Sequence, residues 1–87
     1  MADRRFDNMY HAYVLINLQG KLYKGSTDDL EKRLSQHNSG NFPSYTKNLG
    51  PWKLVYKESF DTRKEAEQRE RFLKSGKGRE FLKKIIK

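Results

Sequence analysis

Cysteine is absent from the chain. That excludes a disulfide framework, a thiolate metal centre and a cysteine nucleophile, and it agrees with a reducing compartment. No apolar run approaches the roughly 20 residues that a membrane-spanning helix requires. The opening residues, Met-Ala-Asp-Arg-Arg-Phe-Asp-Asn, hold no apolar segment of the secretory kind. The expectation is a cytoplasmic protein with no membrane partner. There is no internal repeat and no low-complexity tract. Hydrophobic residues are scarce, at 34% of 87 residues, which suits one small domain with an economical core. Acidic residues are also few: 11 stand against 19 Lys and Arg, leaving a net charge of +8. Such an excess implies a polyanionic partner, nucleic acid first among them, or a solvated lysine-rich surface.

Aromatic rings are plentiful. Five Tyr, five Phe and one Trp supply burial that the aliphatic residues do not, since each ring hides more area. The charge is uneven, because +5 of the +8 falls in residues 61–87.

The chain reads as a polar arm over residues 1–8 followed by one domain over 9–87. The run Tyr10 to Asn17 is rich in β-formers and predicts a strand near 10–17. Asn17-Leu18-Gln19-Gly20 supplies turn residues, with Gly20 able to adopt positive φ. The return strand is predicted at 21–26, so that Tyr13 and Tyr23 would stand nearly opposite each other with both phenols on one side. Gly25 would let another group approach the backbone. Asp28, with Glu31 three residues on, predicts a capped helix near 28–38. On it Leu30, Arg33, Leu34 and His37 form one stripe, passing from core to rim. Asn38-Ser39-Gly40 is a helix stop and residues 38–51 read as a loop. A third strand is predicted at 52–60. Thr62 to Glu65 is a capping box opening a helix at 62–75, with Gly76 as its stop. A terminal amphipathic helix at 78–86 buries Phe81, Leu82, Ile85 and Ile86. The fold class is a small α/β domain, a three-stranded antiparallel sheet flanked by helices.

Glu70 needs an explanation. Ala66, Glu70 and Leu73 share the inward face of their helix, and a carboxylate there is costly unless paired or metal-bound. It would pair with Arg33 across the fold, or hold a cation. The tyrosines read equally as half-buried core residues, Arg33 as a solvated cation and His37 as a structural histidine.

Taken together, these residues resemble the GIY-YIG nuclease domain, of the small stand-alone bacterial type and similar to the N-terminal nuclease domain of the excinuclease C subunit. Ala12-Tyr13 stands at the first naming tripeptide and Tyr23-Lys24-Gly25 at the second. Arg33 and His37 match the family's helix residues. Tyr45-Thr46-Lys47 and Pro51–Tyr56 match further segments of the small type, and Glu70 falls at the acidic metal ligand. The first tripeptide lacks its glycine and isoleucine, Lys24 replaces the second isoleucine, and the asparagine that larger members carry after the glutamate is missing.

The resemblance implies a metal-dependent endonuclease that hydrolyses DNA phosphodiester bonds, with one Mg²⁺ or Mn²⁺ on Glu70. It further implies that Arg33 grips the phosphate, that Tyr13 orients or deprotonates the water beside Tyr23, and that His37 relays the proton. Lys24, Lys47, Lys53, Arg69, Lys74 and Lys77 are expected to contact nucleic acid. The substrate would be double-stranded or branched DNA, in repair or recombination, with a protein partner available for targeting. Two other readings stand beside it: a non-catalytic nucleic-acid-binding module of the same fold, and a protein-interaction domain whose charge serves solubility.

Overall fold

The computed structural model describes residues 9–39 and 50–86. Strands β1 (Tyr10–Ile16), β2 (Leu22–Thr27) and β3 (Lys53–Phe60) form one antiparallel sheet in the order β2-β1-β3, with β1 central. The central strand is the most apolar of the three, as it must be when both of its faces are covered. Helices α1 (Leu30–Ser39), α2 (Arg63–Lys74) and α3 (Gly76–Ile85) complete the fold. The expected fold class and element order are those observed.

Side-chain alternation divides the sheet into two faces. Ala12 and Val14 join Leu73 and Leu82 of the α2–α3 pair in one core, with Leu22, Tyr56 and Phe60 around it. Tyr13 and Leu15, pointing the other way, join Trp52 in a second core covered by Leu30 and Leu34 of α1. The leucine stripe expected on α1 therefore does face the core.

Several local details differ from expectation. Across the hairpin Tyr13 pairs with Gly25, and Tyr23 pairs with Leu15, so the two tyrosines are diagonal neighbours. The turn is longer than the sequence suggested. Asn17 Oδ1 accepts from the backbone N–H of Gln19 (3.0 Å) and of Lys21 (2.9 Å), and Gly20 takes φ +83°. The two phenols still share a face, because a two-residue shift preserves strand parity. The α1 cap is Asp29 rather than Asp28: its side chain accepts from the Lys32 N–H at 3.1 Å, while Asp28 faces Arg63.

Thr62 caps α2 as expected, its hydroxyl accepting from the Glu65 N–H at 3.2 Å. Gly76 does not stop that helix in a left-handed turn. Ser75 ends α2 and caps α3, and Gly76 is the first residue of α3. Gly78 is the closer contact. A Cβ there would run into the Phe72 carbonyl oxygen and lie 2.6 Å from Leu73 Cα, so its bare backbone sets how tightly α3 packs on α2. Leu82 is buried as expected, but Ile85 is 45% exposed. It falls on the far side of a stripe that Leu82, Phe81 and Ile86 already fill.

Asn38 ties the end of α1 to the sheet. Its side-chain amide donates to the Trp52 carbonyl (3.1 Å), and its Oδ1 accepts from the Trp52 N–H (2.5 Å). Most of the loop expected at 38–51, including Tyr45-Thr46-Lys47, lies outside the described residues.

Candidate active site

β2 is an edge strand, and the site is assembled around it. Tyr13 crosses from β1 and lays its phenol over Gly25, where a Cβ would stand 2.6 Å from the hydroxyl oxygen. The missing side chain at Gly25 is what gives the phenol its place. The Tyr13 hydroxyl reaches His37 Nε2 of α1 at 3.1 Å. Both residues are buried, each 1% exposed. His37 was expected at the rim of the α1 stripe. It lies inside instead, because its ring packs on Tyr23 with centroids 4.6 Å apart. The Tyr13 and Tyr23 rings are 6.3 Å apart, and Tyr23 is only half-buried.

The opposite side is supplied by α2. Ser26 alternates away from Gly25 and donates its hydroxyl to Glu70 Oε1 at 2.8 Å. Lys74, one turn further along α2, donates to Glu70 Oε2 at 2.8 Å. The carboxylate thus pairs with Ser26 and Lys74. The pairing with Arg33 that the sequence left open is not what the geometry shows.

Electrostatics join the two sides. Burial pushes the Tyr13 phenol far above its ordinary range, and Tyr23 and Glu70 push it further; the Arg33 charge and its hydrogen bond act in the opposite direction. Burial also raises Tyr23, with Glu70 adding to the effect and Lys74 and Arg33 opposing it. Burial lowers His37 to about 4, helped by the Arg33 charge, so its ring is neutral near pH 7. Arg33 and Glu70 therefore both act on both phenols, which places the five residues in one electrostatic neighbourhood.

A protein cage for a metal is not present: among the described residues no group of three or more His, Cys, Asp or Glu is placed to hold one. A single carboxylate still fits Mg²⁺ or Mn²⁺ chemistry, since Mg²⁺ usually keeps several waters and takes one or two carboxylates plus substrate phosphate. Glu70 meets that description, with a side chain 21% exposed and one oxygen already facing a cation, the Lys74 ammonium.

The sequence profile of the GIY-YIG catalytic domain matches residues 9–84. The chain belongs to the GIY-YIG family. Its relatives include the UPF0213 protein SSP2268 of Staphylococcus saprophyticus, 41% identical over 87% of this chain and 93% of that one. The UPF0213 protein CPE1444 of Clostridium perfringens is 44% identical over 76% of this chain and 71% of its own length. Two solution structures share the fold. The UPF0213 protein BH0048 of Bacillus halodurans has a TM-score of 0.53 at 31% identity, covering 90% of this chain and 85% of that one. The protein EF2693 of E. faecalis has a TM-score of 0.55 at 34% identity, covering 87% and 84%. This is the small form of the GIY-YIG domain, a nuclease fold.

Of the expected phosphate contacts, Lys24 lies half-buried on β2, Lys53 and Lys77 are exposed, and Lys74 is paired with Glu70. Lys47 is outside the described residues. Arg69 is engaged elsewhere. Its Nε donates to Glu58 at 2.8 Å and its guanidinium lies 4.4 Å from the Phe72 ring centroid and 5.3 Å from that of Phe81. It serves the packing of α2 and α3 on the sheet. The contacts of Ser26 with Glu70 and of Asn38 with Trp52 were not legible in the sequence, because each residue acts on a partner that only the fold brings near.

Proposed function

We propose that this GIY-YIG domain is a divalent-metal-dependent endonuclease that hydrolyses DNA phosphodiester bonds. The observation that carries the reading is the convergence of Tyr13, Tyr23, Arg33, His37 and Glu70, from the four elements β1, β2, α1 and α2, on one strand edge. Glu70 is the residue that holds Mg²⁺ or Mn²⁺, with Ser26 fixing the carboxylate rotamer. When bound, such an ion neutralises charge on the phosphate and acidifies a nearby water.

Arg33 offers a planar fork that suits two non-bridging phosphate oxygens. Tyr23 keeps exposed surface and takes the contact with the attacking water. The buried Tyr13 acts behind it. This moves the water-binding role from Tyr13, which the sequence favoured, to its neighbour. Tyr13 and the neutral His37 form a pair in which the phenol donates to Nε2 and both rings stay uncharged, since burial disfavours both the phenolate and the imidazolium; the pair holds the two rings in place behind Tyr23. Lys24, Lys53, Lys74 and Lys77 contact flanking phosphates and give sequence-independent affinity. DNA branches, a role in repair or recombination and a targeting partner in the cytoplasm belong to the same reading.

The test is cleavage of linear and branched DNA with and without Mg²⁺ or Mn²⁺, using Glu70→Ala as control. Loss of an outer-shell partner of a metal typically costs about 10–100-fold, so loss of the ligand itself is expected to cost at least about 100-fold. Binding without cleavage by the wild-type protein in both metals would instead favour the non-catalytic module. Tyr23→Phe is expected to slow cleavage more than Tyr13→Phe. The reverse order would return the water to Tyr13.

A further inference from the structure

A groove of about 310 Å³ opens between β2 and α3, away from the two phenols. Its floor is apolar, formed by Leu22, Leu82 and Ile86, and its rim carries Lys24, Arg79 and Lys83. Strand alternation explains the first half of this pattern, since Leu22 and Lys24 sit two residues apart on one face. The α3 turn explains the second, with Arg79, Leu82, Lys83 and Ile86 at i, i+3, i+4 and i+7.

The rim is continuous with the catalytic edge. Lys74 bonds Glu70 at one end, and Arg79 Nη1 donates to the Lys74 carbonyl at 3.3 Å. Lys24 feels both: burial lowers its pKa first, then the charges of Arg79 and Lys74. A line of four cations thus runs from the metal-binding carboxylate into the groove. Gathering like charges costs energy in the free protein, and an anionic ligand relieves that cost.

The occupant needs anionic and apolar parts in alternation. Duplex DNA presents phosphates and sugars on its outside but keeps its bases stacked, so the apolar floor would stay wet. An unpaired strand offers both a phosphate for each cation and an unstacked base for the floor. We propose that the β2–α3 groove seats an unpaired nucleic-acid strand leaving the scissile phosphate. This deepens the nuclease reading and rests on it for the position of the scissile phosphate. The substrate class that follows is a duplex carrying a single-stranded tail or flap.

The experiment measures anisotropy of the full chain, in EDTA to prevent cleavage, with a blunt duplex and the same duplex bearing an unpaired tail. The wild type is expected to prefer the tailed probe. Arg79→Ala with Lys83→Ala removes two exposed cations. It should abolish that preference and lower the salt slope for the tailed probe by about 1.4, at about 0.7 per single-strand phosphate contact. Lys83→Ala alone, with an unchanged circular dichroism spectrum, should give about half of this and guards against misfolding. The proposal is overturned if the wild type shows no tail preference, if the variants keep it, or if both probes weaken equally. It is also overturned if an acidic peptide displaces the tailed probe as well as a free single strand does. A tail preference that holds while no metal supports cleavage would sink the nuclease reading and leave the groove standing.

Discussion

Gly25 and His37 carry the most at the scale of single residues. Gly25→Ala places a methyl group 2.6 Å from the Tyr13 hydroxyl. Overpacking of that kind costs about 1–3 kcal/mol. The variant is expected to unfold at lower urea and to lose DNA cleavage, because the phenol must leave His37. His37 ties stability to pH. Its folded value is about 4 against an ordinary 6.5. Between these, the unfolded chain binds more protons than the folded one. The stabilisation is complete above pH ~6.5 and is lost as pH falls toward 4, by roughly 3 kcal/mol at 1.36 kcal/mol per unit. Urea midpoints at pH 7.5 and 5 should show the loss in the wild type, and His37→Gln should flatten it. The sequence revealed these residues unevenly. Tyr13, Tyr23, Arg33, His37 and Glu70 were legible because their order and spacing match a family pattern. The burial of His37 was not, since it depends on the Tyr23 ring across the fold. Ser26 was hidden for a similar reason, its partner being 44 residues away.

Among the elements, the α2–α3 corner is the most exacting. Gly78→Ala is expected to force the two helices apart, since its Cβ would meet the Phe72 carbonyl and the Leu73 backbone. Gly76→Ala is the informative contrast. A Cβ there approaches only Arg79 Nη2, at 3.9 Å, and α3 gains from a better helix former. Thermal unfolding should show a fall of several degrees for the first and no loss for the second. From sequence, Gly76 had the right spacing for a helix stop, but spacing does not tell a left-handed turn from a capped restart. Ser75 serves both helices, and this decides the matter. The strands were easier to read. Their alternation fixed which residues share a face, though the hairpin register slipped by two because Asn17 organises a wider turn than Gly20 alone suggests.

For the whole molecule, charge is the governing quantity. Binding of duplex DNA through Lys24, Lys53, Lys74 and Lys77 predicts a log–log salt slope of about −3.6, at about −0.9 per phosphate. A slope near zero, from titrations at several salt concentrations, would remove these lysines from the interface. The charge excess that makes a polyanion a candidate partner was evident from composition. How its cations divide was not, because Arg69 looks like any other basic residue until Glu58 and two phenyl rings are seen around it.

The edge position of β2 has one more consequence. A strand paired on one side only offers its other row of backbone groups to any passing chain, and unguarded edges of this kind seed aggregation. Here the edge is lined by Lys24 and flanked by Lys74 and Arg79. Two copies meeting there would bring like charges together with little room for water. The cations proposed to draw in a phosphate backbone thus also oppose edge-to-edge pairing of two copies, so the proposed ligand attraction and this protection of the edge rest on the same few side chains.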